Sequence, residues 1–460
     1  MRRTPILRAL LALLALTLLA TACGGRDDDD DDAGSGGGGG TETTEGSGGE
    51  GGGGLIDTAD CPDNGTAGIS GDTITLASSF PQSGLTAAFA QISKGYNAYF
   101  AKLNAEGGVE IAGKKYKIEV TDKDDEYNAS KTVQNINELA GTDGDKAFAI
   151  FNVVGTANNI AIREAMGENC VPNVFAATGS PTWGNPDYPW LIGSTLAPYP
   201  LEAKAFADYL AEENPTAKVA MLVQDDDFGK AYEEAFKLAI EGTEITVVEV
   251  ATYPAGAGDV GSQVTSLAAS GADAFFNGAT LLACPNALEK AKAAGWEAIT
   301  FVSGTCISKT LMGLAGANAD KVIAATNTID PMNPAYADHP AMADYLATIE
   351  EFGAADIDPE NGIVAYGYTQ AAILVEVLKG LETLDRVSLM EAMRNIDGIT
   401  GVGMLVDGVE VRTSADDPFL AENLQLVQYD GAAGHFNNVG EVLDFEGKTA
   451  ELTPEDLINN

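Results

Sequence analysis

The chain has 460 residues, with 68 Asp and Glu against 26 Lys and Arg, for a formal net charge of −42. So acidic a body repels nucleic acid and anionic lipid, which excludes nucleic-acid roles. It has only two histidines, His339 and His435, and neither sits near a cysteine or acidic ligand set; CxxC, HExxH, GxSxG and phosphate-loop lysine motifs are absent. The sequence therefore predicts no metal site, no cofactor and no enzyme.

The first residues read as an export signal. Arg2, Arg3 and Arg8 give a basic start, and 9–20 is an apolar run too short to span a bilayer. Ala22-Cys23-Gly24 then places a cysteine after a small residue. This is similar to a bacterial lipoprotein signal, with Cys23 as the lipidated residue; Ala20 departs from the Leu usual there. Residues 24–60 hold the acidic run Asp27 to Asp32 and two glycine runs, with almost nothing to bury. As a flexible coil this tether reaches roughly 35 Å. Without Arg2, Arg3 and Arg8 the net charge is 23 − 68 = −45.

About 400 residues remain, enough for two domains. A short strand over 74–77 leads into the polar loop 78–84 and a helix over 85–105, stopped by Gly107-Gly108. Further strands are predicted at 116–121, 147–154 and 173–177. Helices are predicted at 129–140 and 157–166, with loops at Asp122–Glu126, Gly155-Thr156 and Thr178–Pro181. Strands that alternate with helices predict a parallel sheet with right-handed crossovers, and ligands then sit at the carboxyl ends of the strands.

The same grammar restarts near Thr195. Strands are predicted at 218–224, 246–250, 274–277, 298–302 and 322–326, interleaved with helices at 201–213, 231–241, 260–270 and 286–294. Helices at 342–351, 365–381 and 388–395 follow, then a hairpin signal at Asp407-Gly408 and a last strand at 424–429, turned by Asp430-Gly431. The fold class is α/β, two lobes of one architecture. After Cys23 four cysteines remain, and an exported chain sees oxidising conditions. Of the three pairings, Cys284 with Cys306 is preferred because both follow apolar strands of one half; that leaves Cys61 with Cys170.

The ordered series FPQSGLTAAFAQISKGYNAYFAKLNAEGG, KIEVTDKDD, NVVGTANN, VPNVFAATGSP, VAMLVQDDDFGKAYEEAF, GADAFFNGATLLACPNALEKAKAAGW and QLVQYDG resembles the branched-chain amino-acid (Leu/Ile/Val) type of periplasmic-binding protein that serves ABC transporters. The resemblance covers about 69–440. It implies a type I clamshell with three interlobe crossings. Lobe 1 would be 69–194 plus 329–422, and lobe 2 would be 195–328 plus 423–460. Hinges would fall near Ser194-Thr195, Asn327-Thr328 and Asn423-Leu424. It further implies a monomer, lipid-anchored outside the cytoplasm, that closes on a small ligand and docks on a membrane permease. A sensory receptor of the same fold, reporting to a signalling partner, is the alternative.

Carried over residue by residue, the resemblance places the ligand's carboxylate at Gly155 and Thr156, where a helix start favours an anion, and beside them at Ala177, Thr178 and Ser180. Thr156 and Ser180 could equally be helix caps. Phe228 would cover the ligand from lobe 2, with Ala279 and Thr280 on the next strand end. Asp225 to Asp227 are read first as caps of the following helix. Thr305 stands near the point where amino-acid binders of the family carry an acid that pairs the ligand's ammonium. Either Asp226 or Asp227 replaces that acid, or the ligand is not an α-amino acid; the second reading is preferred, because a buried ammonium without a charged partner is costly.

Overall fold

The structure, a computed structural model, describes residues 56–459. The signal, Cys23 and most of the 24–60 tether lie outside the described residues.

Two seven-stranded sheets organise the chain. The first holds β1 (Ile69–Ser70), β2 (Thr73–Phe80), β3 (Val109–Ile111), β4 (Lys114–Asp124), β5 (Ala149–Phe151), β6 (Asn173–Ala176) and β7 (Leu191–Gly193). Its order is β3-β4-β2-β5-β6-β7, with β1 antiparallel on β2. From β4 to β7 every pairing is parallel. β5 and β6 are buried at every residue, as strands covered on both faces must be. Helices α1 (Ala90–Ala105), α2 (Ala129–Leu139) and α3 (Thr156–Glu168) make the crossovers. The Asn128 side chain caps α2 by accepting from the Lys131 amide (3.2 Å).

The second sheet runs β14-β13-β12-β11-β10-β8-β9. Its parallel strands are β8 (Lys218–Gln224), β9 (Thr246–Tyr253), β10 (Ala274–Gly278), β11 (Ile299–Val302) and β12 (Ile323–Thr326). Helices α4 (Tyr199–Glu213), α5 (Asp227–Ala239), α6 (Gly261–Ala269), α7 (Ala283–Ala293) and α8 (Lys309–Ala315) accompany them. The chain then returns to the first lobe, where α9 (Pro340–Phe352) and α10 (Gly362–Lys379) pack on α1, and α11 (Arg386–Met393) follows. It crosses a last time into β13 (Asn423–Asp430). These are the three interlobe crossings.

The expected last strand is not the last. Asp430-Gly431 turns β13 into β14 (His435–Asp444), an antiparallel edge. The polar sequence HFNNVGEVLD suits an edge exposed on one face, which is why apolar patterning passes over it. The Asp407-Gly408 signal marks a turn, closed by the Val409 amide on the Val406 carbonyl (3.0 Å). It does not join paired strands, because Val411 bridges back to Ile399. The predicted 85–105 helix opens as a 3-10 segment, Gly84–Phe89, before α1. Two short helices, α12 (Lys448–Glu451) and α13 (Glu455–Ile458), close the chain. α13 reaches the first lobe, where Thr182 Oγ1 donates to the Leu457 carbonyl (3.0 Å).

Disulfides join Cys61 to Cys170 and Cys284 to Cys306. Among the described residues no helix is long and apolar enough to cross a membrane.

Candidate functional site

The ends of β5, β6, β8, β10, β11 and β12 all reach one cleft between the lobes. A cavity lies there, with about 900 Å³ of non-atom space when the open solvent at its mouth is counted. The first lobe lines it with Phe89, Tyr127, Val154, Gly155, Ala177 and Tyr366; the second with Tyr199, Phe228, Thr280, Gly304 and Thr305; the crossing with Thr326 to Asp330. No Lys, Arg or His lines it among the described residues.

The first two crossings are bonded together at the wall of this cavity. Asn327 Nδ2 donates to the Thr195 carbonyl, Gln370 Nε2 donates to Thr195 Oγ1 (2.6 Å), and the Val406 amide donates to the Asn327 carbonyl (3.0 Å).

Of the residues expected from sequence, Gly155, Ala177, Phe228, Thr280 and Thr305 line the cavity. Gly155 caps α3 at φ 102° and supplies no side-chain cap, so the first-turn amides keep their positive end toward the cleft. A Cβ at this position would lie 2.9 Å from the Tyr127 ring, so the glycine also lets that ring approach. Thr156, Thr178, Ser180 and Ala279 are not among the lining residues; all four are buried. Thr156 and Thr178 share a hydrogen bond between their hydroxyls (2.6 Å), and Tyr199 Oη donates to Thr178 Oγ1 (3.1 Å). That last bond joins the lobes. Ser180 Oγ accepts from the Thr182 amide (3.4 Å), a capping contact.

Asp226 caps α5, accepting from the amides of Phe228 (3.1 Å) and Gly229 (3.3 Å) and from Gln224 Nε2 (2.6 Å). These bonds use the carboxylate locally, and Asp227 pairs with Lys230 (3.4 Å). Thr305 Oγ1 pairs with Ser303 Oγ (2.9 Å). Thr280 donates its amide to Tyr253 Oη (3.0 Å), while its own buried hydroxyl has no hydrogen-bond partner.

Sequence reasoning missed Tyr127, Tyr199, Tyr366, Asp330 and Glu202. Tyr199 sits in the Pro198-Tyr199-Pro200 start of α4, a signal for a helix N-terminus but not for a cavity wall. Its ring packs on Phe228 (5.0 Å, edge-on) and Tyr232 (4.7 Å). Asp330 accepts from the amides of Met332 (3.0 Å) and Phe436 (3.1 Å), and burial raises its pKa. Glu202, in the first turn of α4, is fully buried; desolvation pushes its carboxyl up to about 8 against the bonds from Gly304 and Tyr232.

Comparison with known proteins places this geometry. The family model described as periplasmic binding protein matches residues 73–435. A Leu/Ile/Val-binding protein homologue of Brucella melitensis is 28% identical over 210 residues, which cover 45% of this chain and 54% of that protein. The match thus spans about half the length of that curated relative. Among solved structures, a branched chain amino acid ABC transporter from Thermus thermophilus with bound valine is similar at TM-score 0.71 and 21% identity, over 82% of this chain and 97% of that one. A fatty acid ABC transporter substrate-binding protein from Thermomonospora curvata is similar at TM-score 0.69 and 20% identity, over 84% and 95%. At such identities the two structures speak for the fold, while the family match runs through both sheets and every strand end around the cavity: the chain belongs to the periplasmic binding protein family.

Proposed function

We propose that this protein is an extracytoplasmic solute-binding protein that captures a small amino-acid-like, carboxylate or amide ligand between its lobes and delivers it to an ABC-type permease. The observation that carries this reading is the cavity, built by strand ends of both lobes and by the crossing between them. A ligand held there touches both halves at once, so it favours the closed form by its differential affinity. The relatives named above, described as Leu/Ile/Val-binding and as ABC transporter proteins, support the same reading. Lobe limits of 69–194 plus 329–422, and 195–328 plus 423–460, belong to this proposal, as do the lipidated Cys23 and a monomeric state. The ligand's acidic end is assigned to the α3 start at Gly155. Its body lies between Tyr127 and Phe228, with Thr280 and Thr305 at its polar edge.

A thermal-shift screen of the full chain tests this. The panel holds branched-chain and aromatic amino acids, their 2-keto acids, amides and small aromatic acids. A compound at a hundred times its dissociation constant stabilises by about 2.7 kcal/mol. If no member raises the melting temperature, and mass spectrometry of denatured protein releases no small molecule, the reading fails.

A further inference from the structure

Two contacts join the lobes at the edge of the cleft without involving a ligand. The first is Leu281, in the turn between β10 and α7. It is 4% exposed and belongs to the hydrophobic core of the first lobe: every other member of that cluster comes from residues 56–192 or 329–421. Leu85 and Thr86 of the first lobe share the lining of a small cavity at this seam with Leu281 and Leu282. The Leu281 backbone has φ 53°, a left-handed setting that costs a leucine energy and persists only where its surroundings impose it. The second lobe imposes it. The Leu281 carbonyl accepts from the Cys284 amide (3.2 Å), and Cys284 is bonded to Cys306. The turn is braced from within one lobe, and its side chain is delivered to the other.

The second contact is Lys309, the first residue of α8. It pairs with Asp358 (3.1 Å) and Glu360 of the first lobe. The segments that carry these residues meet at Ile307 and Gly362. A Cβ built on Gly362 would lie 3.3 Å from the Ile307 carbonyl, and both residues line the main cavity.

We propose that Leu281 and Lys309 form a clasp that holds the two lobes together in the empty protein, so that the closed form is its resting state. This inference rests on the solute-binding reading for what closure serves, and it adds the state that the protein keeps without ligand. Burying a leucine side chain is favourable by itself. The Lys309 pairs offset, at one rim, the repulsion expected between two bodies of a chain charged −42. Exposed ion pairs are individually weak, so Leu281 carries most of the effect. Thr280 lines the cavity and Leu281 is the next residue, so opening the cleft withdraws the leucine from the first lobe's core. The clasp is indifferent to ligand chemistry. It sets the fraction of empty protein that is already closed, and apparent affinity for every ligand scales with that fraction.

The test is small-angle scattering of the empty full chain, stripped of small molecules by unfolding in urea with its disulfides intact and then refolded. Two variants are compared with the unaltered chain. Leu281→Gly removes the side chain and accepts the same φ freely. Lys309→Glu turns the attraction to Asp358 and Glu360 into repulsion. Each is expected to raise the radius of gyration, which a local packing loss by itself does not move. An unchanged radius in either variant overturns the inference. Lys309 is partly exposed, so a folding defect in Leu281→Gly does not shield the proposal. Calorimetry with valine, leucine, phenylalanine and their 2-keto acids gives the second readout. If the closed fraction falls to about a tenth, every compound that binds weakens about tenfold, and the order of preference is kept. A weakening confined to one compound overturns the inference, because the residue then acts on the ligand rather than on the lobes. If no small molecule binds at all, the solute-binding reading fails, while the scattering still decides the clasp.

Discussion

Phe228 fixes the shape of the second lobe's cavity wall. It is buried, meets Tyr199 and Tyr232 edge-on at 5.0 and 5.4 Å, and is aimed by its own amide on the Asp226 cap. Truncating a buried aromatic removes its transfer energy and leaves a void, so Phe228→Ala is expected to cost about 3–5 kcal/mol of unfolding free energy. Urea denaturation measures this; a loss under about 1 kcal/mol would mean that the ring is not packed as described. Reading Phe228 as a cleft residue rested on the family resemblance, which puts an aromatic before Gly229. Glu202 was out of reach, because one glutamate in a helix gives no sign of which loop will fold over it.

At the scale of elements, the two disulfides tie different distances. Cys61–Cys170 spans 109 residues and holds the chain before β1 to the end of α3. Cys284–Cys306 spans 22 and ties α7 to the loop that carries Gly304 and Thr305. A bond that closes a longer loop restricts the unfolded chain more, typically by 1.5 RT ln n. Replacing Cys61 and Cys170 by Ser is therefore expected to destabilise by about 1.4 kcal/mol more than replacing Cys284 and Cys306. Paired denaturation curves decide it, and the reverse order would show that native packing, not chain entropy, dominates. The shorter bond has the larger expected effect on ligand affinity, since its loop forms the cavity wall.

For the whole molecule, pH acts through buried carboxyls. Folded Glu202 keeps its proton to about 8 and Glu422 to about 7, both raised chiefly by burial from 4.5. Asp125, Asp226 and Asp330 are raised by the same cause. Between the ordinary and the raised values the folded state binds more protons than the unfolded. Stability from these groups is thus complete below their ordinary carboxyl values, 3.8 for the aspartates and 4.5 for the glutamates, and is lost as pH climbs through the raised values. Asp344, held down by Lys102 and Tyr368 against its partial burial, works the other way and loses its contribution in acid. Self-repulsion of a −42 charge adds to the alkaline loss. The denaturation midpoint should peak near pH 5, fall toward pH 8.5, and fall less in Glu202→Gln and in high salt. A midpoint that rises from pH 5 to pH 8.5 would contradict this.

What the sequence determined by itself was the repeat of strand, loop and helix, the acidic charge and the alternation that makes a sheet parallel. These are local: apolar runs such as AFAIFNVV announce burial whatever surrounds them, and strand ends announce where a cleft lies. The edge strand His435–Asp444 escaped because its exposed face carries polar residues. Thr156 and Thr178 were read as ligand contacts from their places at strand ends; that their hydroxyls share a hydrogen bond, and that Thr178 also accepts from Tyr199, could not be read there. Only the tertiary structure could bring Tyr199 of the second lobe onto Thr178 of the first, or set Glu202 beneath Gly304, 102 positions along the chain. Such contacts depend on how two sheets and three crossings pack, and no short stretch of sequence carries that information.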